Sequence, residues 1–223
     1  MNAVPVPPVA KVVGLGAGGH ARALLDILLA DPAVTVVGLL DPDPALQGAR
    51  VFGVPVLGGD DRLEEARALG ALGFFIGLGS IRSTQGRERL YALALGAGLE
   101  PVDILHRRAV LSPFAQHGPG LALLAGAVVN PGARLGADVV VNTGAIVEHD
   151  CQVADHVFIA TGALLLGGVQ VGAGAFLGAG CVVRQGLEVG AGAIVGAGAV
   201  VVRNVHADEM VVGNPAVLLP VRF

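Results

Sequence analysis

VNTGAIVEHDCQVADHVFIATGALLLGGVQV, Val141 to Val171, places a branched aliphatic residue at every sixth position: Val141, Val147, Val153, Ile159, Leu165 and Val171. The same phase runs upstream through Leu111, His117, Leu123, Val129 and Leu135, and downstream through Leu177, Val183, Val189, Val195 and Val201. All but His117 are Leu, Ile or Val. The residue four places later is also small or apolar, as Ala127, Ala133, Ala145, Cys151, Ala163, Ala175, Cys181, Ala193 and Ala199 show. A short, fixed period marks a stacked β-solenoid, in which each hexad is one short strand and one tight turn. A helix would need a period near 3.6, which six does not fit. We expect the register to run without insertion as far as His206. Val157 to Val183 is uncharged and long enough to span a bilayer, but its glycine density and its repeat argue for solenoid and against a membrane span.

The remaining composition narrows the class. The chain has 223 residues, 53% hydrophobic and 14% charged, with 35 glycines and no Trp. Such a chain builds its core from small aliphatic layers. Its net charge of −4, with no basic block, argues against a nucleic-acid partner. Cys151 and Cys181 match no metal spacing and make a poor disulfide framework, so a reducing cytoplasm is the expected compartment. The opening MNAVPVPPVA has no basic segment and does not read as a signal peptide.

Before Leu111 the pattern is α/β. Strands are expected at Lys11 to Gly16, Val34 to Asp41, Phe74 to Gly79 and Pro101 to His106. Helices are expected at His20 to Ala30, Asp61 to Leu72 and Gly86 to Gly98. Alternating strands and helices imply a parallel sheet. The chain thus divides into a small Rossmann-like domain, 1–108, and a solenoid domain with a C-terminal cap, 109–223. GLGAGGHA, Gly14 to Ala21, joins the first strand to the first helix and satisfies GxGxxG through Gly14, Gly16 and Gly19, with Asp41 about twenty residues on. Glycines let a backbone approach a phosphate, and the helix N-terminus favours the anion. One βαβαβ unit suits a mononucleotide better than NAD, so a nucleotide-linked substrate is expected. Gly18, Gly19 and His20 would meet phosphate or sugar, Asp41 the uridine or ribose, and Gly79 the same edge. Arg82 or Arg87 would pair with phosphate, or else stand as solvated helix-end arginines.

The hexads resemble the left-handed parallel β-helix of hexapeptide-repeat acyltransferases. In that family three hexads close one triangular coil, which implies equivalent residues every 18. VEHDCQ, Val147 to Gln152, then becomes informative, because between Val139 and Val183 the only charged residues are Glu148, Asp150 and Asp155. Gly167 would stack beside His149 in the next coil and leave a groove for a thin pantetheine arm. Acetyl transfer needs a base for the proton of the attacking amine or hydroxyl, and a neutral imidazole serves near pH 7. An adjacent carboxylate, Asp150, would fix its tautomer. Asn142 or a backbone N–H would support the thioester oxygen.

The whole arrangement is similar to the NeuD/PglD family of bacterial acetyltransferases, which act on nucleotide-linked amino sugars or sialic acid. GAGGHA (Gly16 to Ala21), LLDPD (Leu39 to Asp43), VNTGAIVEHDCQV (Val141 to Val153) and VVGNPA (Val211 to Ala216) carry the resemblance. It implies acetyl-CoA as donor and a UDP-linked amino-deoxysugar as acceptor, with His149 as general base and Asp150 as its partner. Gly167, Ala179 and Ala197 would border acetyl-CoA. It also implies a homotrimer with active sites between subunits. Many members carry a second histidine beside the thioester nine residues after the base, where this chain has Phe158. The alternatives are an O-acetyltransferase of sialic acid or a related sugar, a zinc enzyme drawing on His117, His149 and His156, an NAD-dependent dehydrogenase and a non-catalytic scaffold.

Overall fold

The computed structural model describes residues 10–81 and 83–219. Most of the N-terminal MNAVPVPPVA and all of Arg82 lie outside the described residues. By its internal contacts the chain forms two units. One comprises the chain up to Gly79 together with Leu90–Val102. The other comprises Ser80–Arg89 and everything from Asp103 onward.

The first unit is a six-stranded sheet built from buried aliphatic runs: β1 (Ala10–Leu15), β2 (Val34–Leu40), β3 (Arg50–Val51), β4 (Val54–Gly58), β5 (Gly73–Ile76) and β6 (Glu100–Pro101). Their spatial order is β3-β4-β2-β1-β5-β6, parallel except for the β3–β4 hairpin. The helices are α1 (Gly19–Leu28), α2 (Leu63–Ala68) and, from Leu90 onward, α3 (Gln85–Gly96), whose first turn belongs to the second unit. α1 buries Ala21, Leu24, Leu25 and Leu28, the spacing of a single helix stripe. Tyr91 of α3 packs edge-on against Phe74, 5.3 Å between centroids, an arrangement the ring quadrupoles favour. β1 lies between β2 and β5, so the strand order reverses at its C-terminal end, where open α/β sheets take ligands. The β3–β4 hairpin was not expected from the sequence.

The second unit is a left-handed parallel β-helix. Three sheets stack two-residue parallel strands one coil of 18 apart, as in Val140↔Phe158 and Ile146↔Leu164, until the C-terminal end, where Met210–Val212 pairs 16 residues on from Ile194–Val195 and antiparallel with Val217–Leu218. Face 1 begins at Ile104–Leu105 and includes Val140–Val141, Phe158–Ile159, Phe176–Leu177 and Ile194–Val195. Face 2 runs from Val110–Leu111 to Val200–Val201, and face 3 from Gln116–His117 to Glu188–Val189. The leading residues point inward, and from Leu123 to Val201 they are buried, with alanines, the two cysteines and larger aliphatics (Val139, Val157, Val169 and Leu187) filling the corners. Burying each Val or Leu contributes roughly 1.5–3 kcal/mol, which is how a chain so poor in aromatics holds a core. Both thiols are free and buried. Burial pushes Cys181 up to about 12 and also raises Cys151, so both stay protonated and unreactive.

Three expectations change. Pro101–His106 is not one strand: Glu100–Pro101 pairs with β5, whereas Ile104–Leu105 pairs with Ala122–Leu123 and opens the solenoid. The register does not hold to His206. Val205 bridges Val189, a step of 16 residues where coils above step 18, so two residues are missing after Val201. His117 occupies a leading slot yet is exposed, because the first coil has an open end there.

Each corner places its third residue in left-handed backbone, and from Gly126 to Gly198 that residue is glycine everywhere except Asp138, Asp150 and His156 (φ 52°, 60° and 60°). An L-residue there costs about 1–2 kcal/mol, less for aspartate, so these three departures need a reason.

Candidate functional site

In the sheet unit the glycine loop follows β1. A β-carbon at Gly77 would lie 2.4 Å from the Gly16 carbonyl oxygen; the two loops touch backbone to backbone and leave no room for side chains. Gly18 and Gly19 differ, because a β-carbon at either meets nothing within 4 Å. The protein itself does not require glycine there, whereas a ligand approaching the backbone would. The start of α1 has no side-chain cap and no acidic residue in its first turn, which suits an anion. Gly79 lies beside His20, with 3.3 Å from its would-be β-carbon to the His20 β-carbon. Asp41 is already engaged: its carboxylate accepts from the Ala17 N–H at 2.8 Å and the Asp43 N–H at 3.0 Å. It shapes the glycine loop before it reads any ligand. The sequence expectation thus brings together Gly18, Gly19, His20, Gly79 and Asp41 within one unit.

Arg87 does not join them. It belongs to the solenoid unit and is 2% exposed, paired with Asp138. Burial lowers its pKa, which Asp138 opposes. Its expected phosphate is replaced by a buried carboxylate 51 residues away.

His149 sits at the corner between faces 2 and 3. The corner is fastened on both sides: Glu148 N–H donates to Leu165 O at 3.0 Å, Asp150 N–H to Pro131 O at 3.1 Å, and Gly168 N–H to His149 O at 2.9 Å. The imidazole projects outward, with its side chain 57% exposed. Its Nδ1 lies 2.9 Å from Asp150 Oδ2. A carboxylate only accepts, so Nδ1 carries the proton and the neutral ring presents its lone pair at Nε2. The ring lies over Gly167, where a β-carbon would come within 2.6 Å of both Cε1 and Nε2. Gly167 is therefore a shelf for the base.

The other expected groups lie elsewhere on the same chain. Asn142, Ala179 and Ala197 occupy corners between faces 1 and 2, and Asn142 Oδ1 accepts the Thr143 N–H at 2.7 Å. Face 2 separates them from His149. Phe158, expected beside acetyl-CoA, is 4% exposed on face 1, stacked on Phe176 at 5.8 Å and covered by the Arg87 guanidinium at 5.7 Å. Its ring is packed within its own chain, so the expected cofactor contact is replaced by an internal one. Among the described residues no group of three or more His, Cys, Asp and Glu side chains converges as a metal site, and no helix is long and apolar enough to cross a membrane.

Asp138 was missed. Its Oδ2 lies 3.1 Å from His156 Nδ1, its Oδ1 takes Arg87, and it is 2% exposed. The available signal was the glycine pattern: at the left-handed corner place, Asp138 and His156 break it just as Asp150 does.

Residues 11–92 match the family model of the PglD N-terminal domain, and residues 168–203 that of the bacterial transferase hexapeptide, six repeats. No curated protein matches. Among solved structures, a mutant of perosamine N-acetyltransferase from Caulobacter crescentus in complex with CoA and GDP-perosamine is 36% identical, over 96% of this chain and 98% of its own, with a TM-score of 0.88. The acetyltransferase domain of PglB from Neisseria gonorrhoeae in complex with acetyl coenzyme A is 32% identical, over 94% and 98%, at 0.85. WeeI from Acinetobacter baumannii is 28% identical, over 94% and 100%, at 0.83.

Proposed function

This chain belongs to the NeuD/PglD-type sugar acetyltransferases, and from that premise we propose that it N-acetylates an amino-deoxysugar carried on a nucleoside diphosphate, with His149 as general base. It is an acetyltransferase, and acetyl-CoA is its acetyl donor. The single observation that carries the mechanism is the His149 pair: an imidazole tied at Nδ1 to Asp150 and laid over Gly167. Acetyl-CoA supplies an activated acyl carbon. His149 Nε2 takes the proton the sugar amine loses as it attacks that carbon, Asp150 stabilises the imidazolium that results, and the C–S bond breaks to release the CoA thiolate, which takes up the proton. The open backbone at Gly18 and Gly19 and the uncapped start of α1 would hold the diphosphate.

The sequence reading names UDP, while similar structures hold GDP-perosamine, so the two nucleotides are arms of one assay. Purified protein is given acetyl-CoA with UDP- and GDP-linked 4-amino-deoxysugars and with sialic acid, and release of CoA is followed. Acetylation of an amine on either nucleotide supports the reading. Transfer only to a hydroxyl of sialic acid replaces it with O-acetylation, and no transfer to any acceptor overturns it.

A homotrimer with shared sites is supported by the layout of one chain. The outward residues of face 2, namely Val128, Ile146, Leu164, Val182 and Val200, are apolar and only half-buried, unlike the polar Gln116, Arg134, Gln152, Gln170 and Glu188 of face 3. The base stands on one border of face 2, and Asn142, Ala179 and Ala197 on the other. A closed ring of three chains lays one border against the opposite border of its neighbour. Sedimentation equilibrium should return three times the chain mass of 22.2 kDa; a monomer at assay concentration would contradict the shared site.

A further inference from the structure

Between residues 135 and 219 the only Lys or Arg side chains are Arg184 and Arg203. Both fall at the corner between faces 2 and 3, the corner that carries His149. Arg184 directly follows the face 2 strand Val182–Val183, at the place Glu148 takes two coils earlier. Arg203 stands in the last such corner, between Val201 of face 2 and Val205, which bridges Val189 of face 3. The corner is stacked coil upon coil: Gly168 N–H donates to His149 O at 2.9 Å, Gly186 N–H to Gly167 O at 3.0 Å and Arg184 N–H to Val201 O at 3.1 Å. His149, Gly167 and Gln185 thus form one column, and the shortened corner of Arg203 ends it. Both arginines are exposed, and neither side chain has a hydrogen bond or ion pair to a described residue.

One exposed arginine marks nothing by itself. Here the only two cations of the long C-terminal stretch share the corner of the base and lie on one side of it. The corner is polarised: its carboxylates, Glu148 and Asp150, stand at the base, and its cations stand toward the C-terminal end. Neighbouring coils are about 4.8 Å apart, so Arg184 lies roughly 10 Å and the Arg203 corner roughly 14 Å along the solenoid from the base. In acetyl-CoA the extended chain of bonds from the thioester sulfur to the diphosphate spans about 15 Å. With the acyl carbon at His149 and the arm laid over Gly167, which has no side chain to block it, the phosphates come level with the two arginines.

We propose that Arg184 binds the diphosphate of acetyl-CoA and Arg203 its 3′-phosphate, so that the donor lies along this corner with its nucleotide toward the C-terminal end. This rests on the proposed function for one point, the place of the acyl carbon at His149. A guanidinium meets phosphate oxygens with paired N–H donors. The nearer arginine takes the nearer phosphates, and the farther one takes the group beyond them. The 3′-phosphate separates CoA from a bare phosphopantetheine arm, so Arg203 is a specificity residue for the donor.

The test is calorimetric titration of the intact protein with CoA, 3′-dephospho-CoA and pantetheine, which needs neither acceptor nor turnover. Both arginines are exposed and unpaired, so Arg184→Gln and Arg203→Gln should fold as wild type does. Each should raise Kd for CoA about five- to tenfold. With 3′-dephospho-CoA the Arg203→Gln loss should vanish while the Arg184→Gln loss stays, and with pantetheine both should vanish. Arg134→Gln, which removes an exposed arginine from face 3, should leave every Kd within about twofold. Wild-type affinity for CoA should fall as salt is added, and the double variant should show a flatter fall. An unchanged Kd for CoA in both single variants overturns the inference. An Arg203→Gln loss that persists with 3′-dephospho-CoA overturns the assignment of the 3′-phosphate. Failure of the proposed function is read elsewhere, in the absence of acetyl transfer to any acceptor, and leaves these binding constants to be judged on their own.

Discussion

His149→Ala should lower kcat for acetyl transfer by about 10²–10⁴-fold, the range that a positioned general base contributes. The two KM values should move little, because a proton acceptor works in the transition state more than in substrate binding. Stability should not change measurably. The side chain is 57% exposed, and the corner is held by backbone bonds from Glu148, Asp150 and Gly168 that survive the substitution. Asp150→Gly is a graded companion. Asp150 has a φ of 60°, so glycine keeps the turn while removing the carboxylate that holds the Nδ1 proton. Its loss in kcat should be smaller than that of His149→Ala, since the base remains but its tautomer is no longer fixed. Steady-state kinetics with saturating acetyl-CoA reads both. A His149→Ala enzyme as fast as wild type would remove the imidazole from the mechanism.

How far the sequence revealed this site depends on which residues are asked about. The six-residue period, joined to the three-hexad coil that the resemblance implies, placed Gly167 beside a projecting His149, because a solenoid lattice converts sequence spacing directly into position. The same lattice places Asn142 one corner away from His149, since they fall in successive hexads. A period, however, gives direction and not cover. Phe158 points outward, yet outward on face 1 is not exposed, for Phe176 and Arg87 lie over it. Arg87 looked like a phosphate partner because it follows the Gly79 edge in sequence; its carboxylate arrives from 51 residues away, a distance no local pattern encodes. The shortened step from Val189 to Val205 was hidden because Ala207, the next place in the old phase, is also small and apolar. The β3–β4 hairpin was missed since β3 has only two residues, too few to show alternation.

Gly167→Ala should separate activity from stability. The backbone at 167 is not in the left-handed region, so alanine is no strain there; what a methyl group meets is the base. At 2.6 Å from both Cε1 and Nε2 of His149, the new carbon is well inside contact distance. The ring is the free end of a side chain, so it yields and the coil does not. Turning away, it must give up either the bond to Asp150 Oδ2 or the direction of Nε2. A displacement near 1 Å at a reacting group costs up to about 10²-fold, and we expect kcat to fall by about 10- to 100-fold. Unfolding free energy should stay within about 0.5 kcal/mol of wild type, as for a surface change. Gly186→Ala supplies the converse. One coil further on, Gly186 has a φ of 69° and open space where a β-carbon would sit. Alanine there strains the backbone by about 1–2 kcal/mol and touches no part of the base, so the melting temperature should drop while kcat holds. Two neighbouring glycine-to-alanine changes should thus split cleanly between rate and melting temperature. A Gly167→Ala enzyme with full kcat would mean that the imidazole works from a different orientation than the one laid over the shelf.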